Sequence, residues 1–170
     1  IQWKQAGELY ATSSKDKTVR LVDPRDNVVA QSIPMAHDGA KSVKLTFLGD
    51  HEKLLTVGFT KQSQRQIKVW DPRNLEKPLK LEKIDQAAGV IIPYYDEDSN
   101  VLYLSGKGDG NVRYYECTRD ANIFFKLSEY KSTVATKGIC FLPKLACDIM
   151  KCETAKALKL TSSYLEPLSF

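Results

Sequence analysis

The chain has 170 residues, with 25 Lys and Arg against 21 Asp and Glu, a formal charge of +4, and 42% hydrophobic residues. That is one domain's worth of chain with an ordinary globular balance. No apolar run approaches the roughly 18 residues that a membrane span needs, no basic-then-apolar leader opens the chain, and the mild positive excess permits an acidic partner without specifying nucleic acid.

From the first residue onward the apolar pattern has period 2, and no long 3.6-residue stripe appears. Runs such as Thr18-Val19-Arg20-Leu21-Val22, Gln66-Ile67-Lys68-Val69-Trp70 and Asn111-Val112-Arg113-Tyr114-Tyr115 alternate. Clusters of Gly, Asp, Asn, Ser and Pro separate them, which is the pattern of short antiparallel strands. The first group of strands is predicted over 1–5, 9–14, 18–23 and 28–33. The second is predicted over 43–47, 54–59, 66–71 and 79–84, and the third over 89–95, 101–105, 111–117 and 122–128. A fourth begins at 138–142, continues through 147–152 and 155–160, and has no convincing outer strand.

These groups are copies of one another. Leu9 to Arg20 aligns without a gap on Leu102 to Arg113, an offset of 93, or two periods of about 46. Val22, Trp70, Tyr115 and Leu158 stand at intervals of 48, 45 and 43. A period in the forties that ends a strand in Trp70-Asp71 is the signature of a WD-repeat β-propeller. The fold expected is therefore all-β, a propeller fragment of about four blades of four-stranded antiparallel sheet. Blades are expected over 1–36, 37–86 and 87–130, with an incomplete last blade over 131–161 and the start of a C-terminal extension over 162–170. The opening residue is Ile1, which fits a piece of a longer protein.

Structural roles are expected for the repeat positions Asp16, His37, Trp70, Asp71 and Asp109. In such repeats a His before the blade, the turn Asp and the strand Trp form a buried hydrogen-bonded set. The second blade lacks the turn Asp, with Lys61 to Arg65 in its place, and a loop that abandons the repeat's rule is a candidate for function. The basic turn residues Lys15, Lys17, Lys61, Arg65, Arg73 and Lys107 are the candidate partner-binding set, since acidic protein surfaces are natural partners for them. No aromatic residues interleave them, which argues against nucleic acid. Arg20, Lys68, Arg113 and Lys156 are expected at one equivalent strand position in the four copies, as solvated faces or inter-blade ion pairs.

No constellation here points to an enzyme, a metal or a cofactor. Gly106-Lys107-Gly108-Asp109-Gly110 lacks the P-loop spacing and reads as a hairpin turn. Asp96-Glu97-Asp98 starts like a calcium loop but has Val101 and Lys107 where Gly and Glu are required. Cys117, Cys140, Cys147 and Cys152, spaced 23, 7 and 5 apart, match no zinc template and are expected to be reduced, mostly buried thiols.

Several stretches together strongly resemble the coronin family. They are Thr12 to Arg20, Leu55 to Thr60, Gly89 to Asp96, Tyr103 to Asp109, Lys151-Cys152-Glu153, Ala155-Lys156 and Leu165-Glu166-Pro167. The resemblance runs in order along nearly the whole chain. It implies an actin-filament-binding regulator, cytoplasmic and associated with the cytoskeleton, whose seven-bladed propeller is followed by a linker and a coiled coil. This chain would be the C-terminal half of that propeller. The partner implied is F-actin, with no membrane span and no nucleic acid. The alternative is a WD-repeat scaffold for a non-actin complex in trafficking or signalling. An open arc of blades further suggests a homodimer formed through exposed blade edges.

Overall fold

The alternating runs pair with their neighbours in sequence, as short strands joined by tight turns do. The computed structural model describes residues 1–26, 28–120 and 122–170. The first sheet contains β1 (Gln2–Trp3), β2 (Tyr10–Ser13), β3 (Val19–Asp23) and β4 (Val28–Ile33). The second contains β5 (Lys44–Phe47), β6 (Leu54–Phe59), β7 (Arg65–Trp70) and β8 (Lys80–Asp85). The third contains β9 (Ile91–Asp96), β10 (Val101–Gly106), β11 (Val112–Cys117) and β12 (Phe124–Tyr130). The fourth contains β13 (Gly138–Phe141), β14 (Lys156–Leu160) and β15 (Leu165–Ser169). In every sheet the strands lie in chain order and antiparallel, and the last sheet has three strands. The all-β, repeated architecture with an incomplete last blade is the one expected from the sequence.

Successive sheets meet along their first strands: β1 lies by β5, β5 by β9, and β9 by β13. The period-2 pattern explains the packing between them. On the central strands, Leu54 and Trp70 turn toward the first sheet, packing with Leu21 and Ile33. Their alternates Leu55, Val57, Ile67 and Val69 turn toward Leu102 and Leu104 of the third. Tyr103, on the opposite side of β10, packs with Ala157 and Leu168 of the fourth. Each such Leu, Ile or Val contributes about 1.5–3 kcal/mol by leaving water, so these inter-sheet layers hold the blades together. The outer strands β4 and β12 are largely exposed, and β8 is mostly half-buried.

The last sheet corrects the sequence reading in two ways. Residues 147–152 are not a strand. The long connection carries 3₁₀ turns at Lys144–Ala146 and Ile149–Lys151. Asp148 caps the second turn by accepting from the Met150 N–H at 3.1 Å, and Cys152 ends it with φ at 57°. Residues 165–169, expected in an exit segment, form β15 and pair with β14 from Lys156↔Ser169 to Leu160↔Leu165. In the fourth copy, residues 156–160 are therefore the second strand and not the third. Lys156 and Leu158 lie on a second strand, so neither is equivalent to Arg20, Lys68 and Arg113, or to Trp70.

Candidate partner-binding face

Within an antiparallel sheet, successive connections alternate between the two ends. The β2–β3, β6–β7 and β10–β11 turns thus share one end with the connections between sheets. Main-chain bonds tie them together: Ala36 N–H to the Lys17 carbonyl at 3.0 Å, Gly39 N–H to Phe59 at 2.7 Å, and Lys107 N–H to Val90 at 2.9 Å. Lys15, Lys17, Lys61 and Lys107 all stand on this face, and Lys15, Lys61 and Lys107 are exposed. Lys17 is half-buried, with φ at 65° and its ammonium on the Asp38 carbonyl at 2.8 Å.

Two members of the expected set stand elsewhere. Arg73 is on the opposite face, in the β7–β8 connection, where it pairs with Glu52 at 2.5 Å. Arg65 is 1% exposed and is not a surface group. Its Nε and Nη2 donate to the two Asp85 oxygens at 2.5 and 2.6 Å, and its Nη1 meets Asp109 at 2.7 Å across the gap between sheets. A buried guanidinium demands such pairing, because an unmatched charge out of water is costly. Arg113 adds a second cation at 2.7 Å from Asp85 and 3.2 Å from Glu129. Burial alone would push the Asp85 carboxyl up, but the Arg65 bonds and the charges of both arginines carry it below its ordinary value.

The buried histidine set exists, with one replacement. His37 Nε2 donates to Thr56 Oγ1 at 2.9 Å, and Trp70 Nε1 donates to the same oxygen at 2.9 Å. The place of the missing turn Asp is taken by Gln66, whose Nε2 donates to His37 Nδ1 at 3.0 Å. Burial, then the nearby Lys68 charge, brings the His37 pKa down to about 3, so the ring is neutral.

Glycine at 58 leaves room for this ring, since a Cβ there would collide with the imidazole. At the aligned Gly106 a Cβ would instead meet the Arg65 guanidinium and Asp109. One slot in the repeat is thus filled by a histidine in the second sheet and by a neighbour's arginine in the third. Asp109 pairs with Arg65 and not with a histidine. Asp16 lies outside the histidine set: it is exposed, accepts from Arg20 at 2.5 Å and from the Thr18 N–H at 2.9 Å, and Arg20 holds its carboxyl down to about 2. Asp71 shapes its turn by accepting from the Arg73 N–H at 2.9 Å.

The remaining motifs resolve simply. Residues 106–110 form a hairpin turn, with the Asp109 N–H on the Gly106 carbonyl at 2.9 Å. Asp96 is buried and takes the Lys144 ammonium at 2.5 Å, leaving that carboxylate paired within the protein. Among the described residues no cluster of three or more His, Cys, Asp or Glu side chains could hold a metal ion, and no helix is long and apolar enough to cross a membrane. The cysteines differ from expectation: Cys117 is buried, Cys147 half-buried, and Cys140 and Cys152 exposed. The sequence reading also missed Lys41, Lys44 and Lys137, three exposed cations on the same face as Lys15 and Lys107. They sit at or beside the inter-sheet connections, and counting those with the hairpin turns would have found them.

No protein-family model matches the chain. It is 41% identical over 169 residues to Coronin-A of Dictyostelium discoideum, covering 99% of this chain and 37% of that protein. The crystal structure of the WD40 domain of Toxoplasma gondii coronin superposes with a TM-score of 0.92 at 36% identity, over 99% of this chain and 44% of that one. A chain of the mitotic checkpoint complex crystal structure shares the fold at a TM-score of 0.72 and 14% identity, over 99% of this chain and 49% of that one. The chain thus spans little more than a third of Coronin-A and less than half of the Toxoplasma WD40-domain chain. With the repeated sheets, the strand-end Trp70 and its buried His37 and Thr56 partners, these similarities make the chain part of a WD-repeat β-propeller of the coronin family.

Proposed function

We propose that the chain is a protein-interaction segment of a coronin-like scaffold that binds actin filaments, in the cytoplasm and associated with the actin cytoskeleton. The observation that carries this reading is the 41% identity to Coronin-A over 99% of the chain. The exposed lysines Lys15, Lys61 and Lys107, with Lys17 beside them, support it by offering one cationic face to an acidic surface. The proposed role is binding and not catalysis. Co-sedimentation with actin filaments tests it: the chain pellets with filaments, and the variant Lys15→Glu/Lys61→Glu/Lys107→Glu pellets less. If wild-type chain stays in the supernatant at filament concentrations well above micromolar, the actin reading of this segment fails and the non-actin scaffold is favoured.

The homodimer is a separate proposal. It rests on β15, which has a strand neighbour on one side only among the described residues, and on the exposed Trp3, Val28 and Val29 of the first sheet. Size-exclusion chromatography with light scattering tests it, and a monomer of 19.2 kDa at high concentration overturns it.

A further inference from the structure

On the lysine face the surface is hollowed in two adjoining places. One hollow, of 390 Å³, is lined by Lys15, Lys17 and Lys41 with Ser13, Ser14 and Val43. The other, of 280 Å³, is lined by Lys44, Lys107 and Lys137 with Val90 and Ile92. Ser42 lines both, so the two adjoin. Six ammonium groups line them, and neither lining contains a carboxylate.

Their charges are poorly matched from within. Lys15, Lys44, Lys107 and Lys137 make no side-chain hydrogen bond or ion pair among the described residues. Lys17 reaches the Asp38 main-chain carbonyl, and Lys41 reaches that of Ala88 and lies 4.6 Å over the Phe59 ring, so neither meets a carboxylate. Of the nearby carboxylates, Asp16 is taken by Arg20, and Asp38 is exposed at the rim. Elsewhere in the molecule several buried or half-buried cations meet carboxylates: Arg65 with Asp85, Arg113 with Glu129, and Lys159 with Glu166 at 3.1 Å. The face is therefore a positive surface whose lining supplies no carboxylate to its six lysines.

The floor of the hollows decides what kind of anion fits. Val43, Val90 and Ile92 are apolar, and β5 and β9 run beneath as first strands of their sheets. A phosphate cluster calls for converging N–H donors and gains nothing from aliphatic walls. An extended peptide alternates its side chains between opposite sides every residue. It can place carboxylates on the lysines and short aliphatic groups on the valines and isoleucine.

We propose that this two-hollow crescent is a docking site for an acidic, extended segment of a partner protein, with carboxylates and small apolar residues in alternation. The site takes the lysine face as an interaction surface, as the actin reading does, but does not require the partner to be actin. Lys44, Lys107 and Lys137 bind one end of the segment, and Lys15, Lys17 and Lys41 the other.

Fluorescence anisotropy of the 170-residue chain with a fluorescein-labelled 12-residue peptide of alternating Glu and Val tests this. The Glu peptide binds at 50 mM salt, weakens about tenfold at 300 mM as screening sets in, and outcompetes inositol hexaphosphate. A peptide with Gln for every Glu binds at least tenfold more weakly. Lys44→Glu/Lys107→Glu/Lys137→Glu removes binding while the thermal midpoint of the chain stays unchanged, Lys44→Gln/Lys107→Gln/Lys137→Gln weakens it in between, and Arg73→Glu on the opposite face leaves it intact. The site is overturned if the Glu peptide does not bind at 50 mM salt, if the Gln peptide binds as tightly, or if either lysine triple variant binds within twofold of wild type. Displacement of the peptide by lower concentrations of inositol hexaphosphate than of unlabelled peptide overturns the protein occupant. Peptide binding without actin co-sedimentation, or the reverse, separates this proposal from the actin reading.

Discussion

Gln66 stands at 3.0 Å from His37 Nδ1 and donates to it, in the place where a repeat of this kind has a carboxylate. An Asp there would hold the ring by charge and favour its protonation. The amide holds it by hydrogen bond alone and favours the neutral tautomer, with the proton on Nε2 facing Thr56. The second blade is thus closed by an uncharged set of His37, Gln66, Thr56 and Trp70.

That neutrality sets a pH dependence. The folded pKa of His37 is about 3 against an ordinary 6.5, so the unfolded chain binds a proton between these values and the folded chain does not. Stability from this group is full above about pH 6.5 and falls as pH drops, by about 1.4 kcal/mol per pH unit. Urea titrations between pH 6 and 4.5 measure the slope. Wild type shows it, and His37→Gln flattens it; equal slopes in the two proteins contradict a neutral buried ring.

The close approach of Gly58 to the same ring gives a second expectation. Gly58→Ala costs about 1–3 kcal/mol, the usual range for overpacking. The partner change is His37→Gly, because the His37 Cβ itself would lie 2.8 Å from the new methyl group. Gly58→Ala is then nearly free in the His37→Gly background, and a double-mutant cycle returns a coupling of at least about 1 kcal/mol. A coupling near zero means the glycine is there for another reason.

Arg65 shows why a basic residue in a polar loop can mislead. Arg65→Ala leaves Asp85 and Asp109 without their shared cation and is expected to cost about 3–5 kcal/mol, the range for breaking a buried pair. Arg65→Lys recovers only part of this, since one ammonium cannot serve both Asp85 oxygens and Asp109 together. Arg73→Ala, on an exposed pair, stays within about 0.5 kcal/mol of wild type. Denaturant midpoints of the three variants decide the matter. An Arg65→Ala protein as stable as the Arg73→Ala protein returns Arg65 to the surface set.

The sequence was readable where structure is local. Strand ends in the first three sheets fall within two residues of those expected, because period-2 alternation and turn chemistry act over a few residues. Trp70 and His37 were readable for the same reason, as fixed points in a repeat. Arg65, Gln66 and Asp109 were not, since their roles depend on which side chain of one sheet reaches the empty slot of the next. The basic face was half readable: the hairpin lysines follow from the turns, whereas Lys41, Lys44 and Lys137 follow only from folding the inter-sheet connections onto the same end. The last sheet misled because a 14-residue connection, 142–155, lies between β13 and β14 and displaced the repeat by one strand.

The strand so misread carries the last expectation. Residues 162–170 hold β15, and their removal takes away Leu168, which is 5% exposed, and Phe170, whose ring lies 4.9 Å from that of Tyr103. It also strips Glu166 from Lys159, which is fully buried beneath the Tyr130 ring, with the Tyr130 hydroxyl donating to Glu166 at 3.0 Å. Losing an apolar strand face and a buried ion's partner each costs about 3 kcal/mol or more. A chain ending at residue 161 is therefore expected to lose most of the stability of its last two sheets. Glu166→Gln, which keeps the strand, isolates the charge and is expected to cost about 2–3 kcal/mol. Hydrogen exchange of β10, β11 and β14 in the truncated chain reads the outcome directly: unchanged protection would mean that 162–170 is a tail and not a strand of the blade.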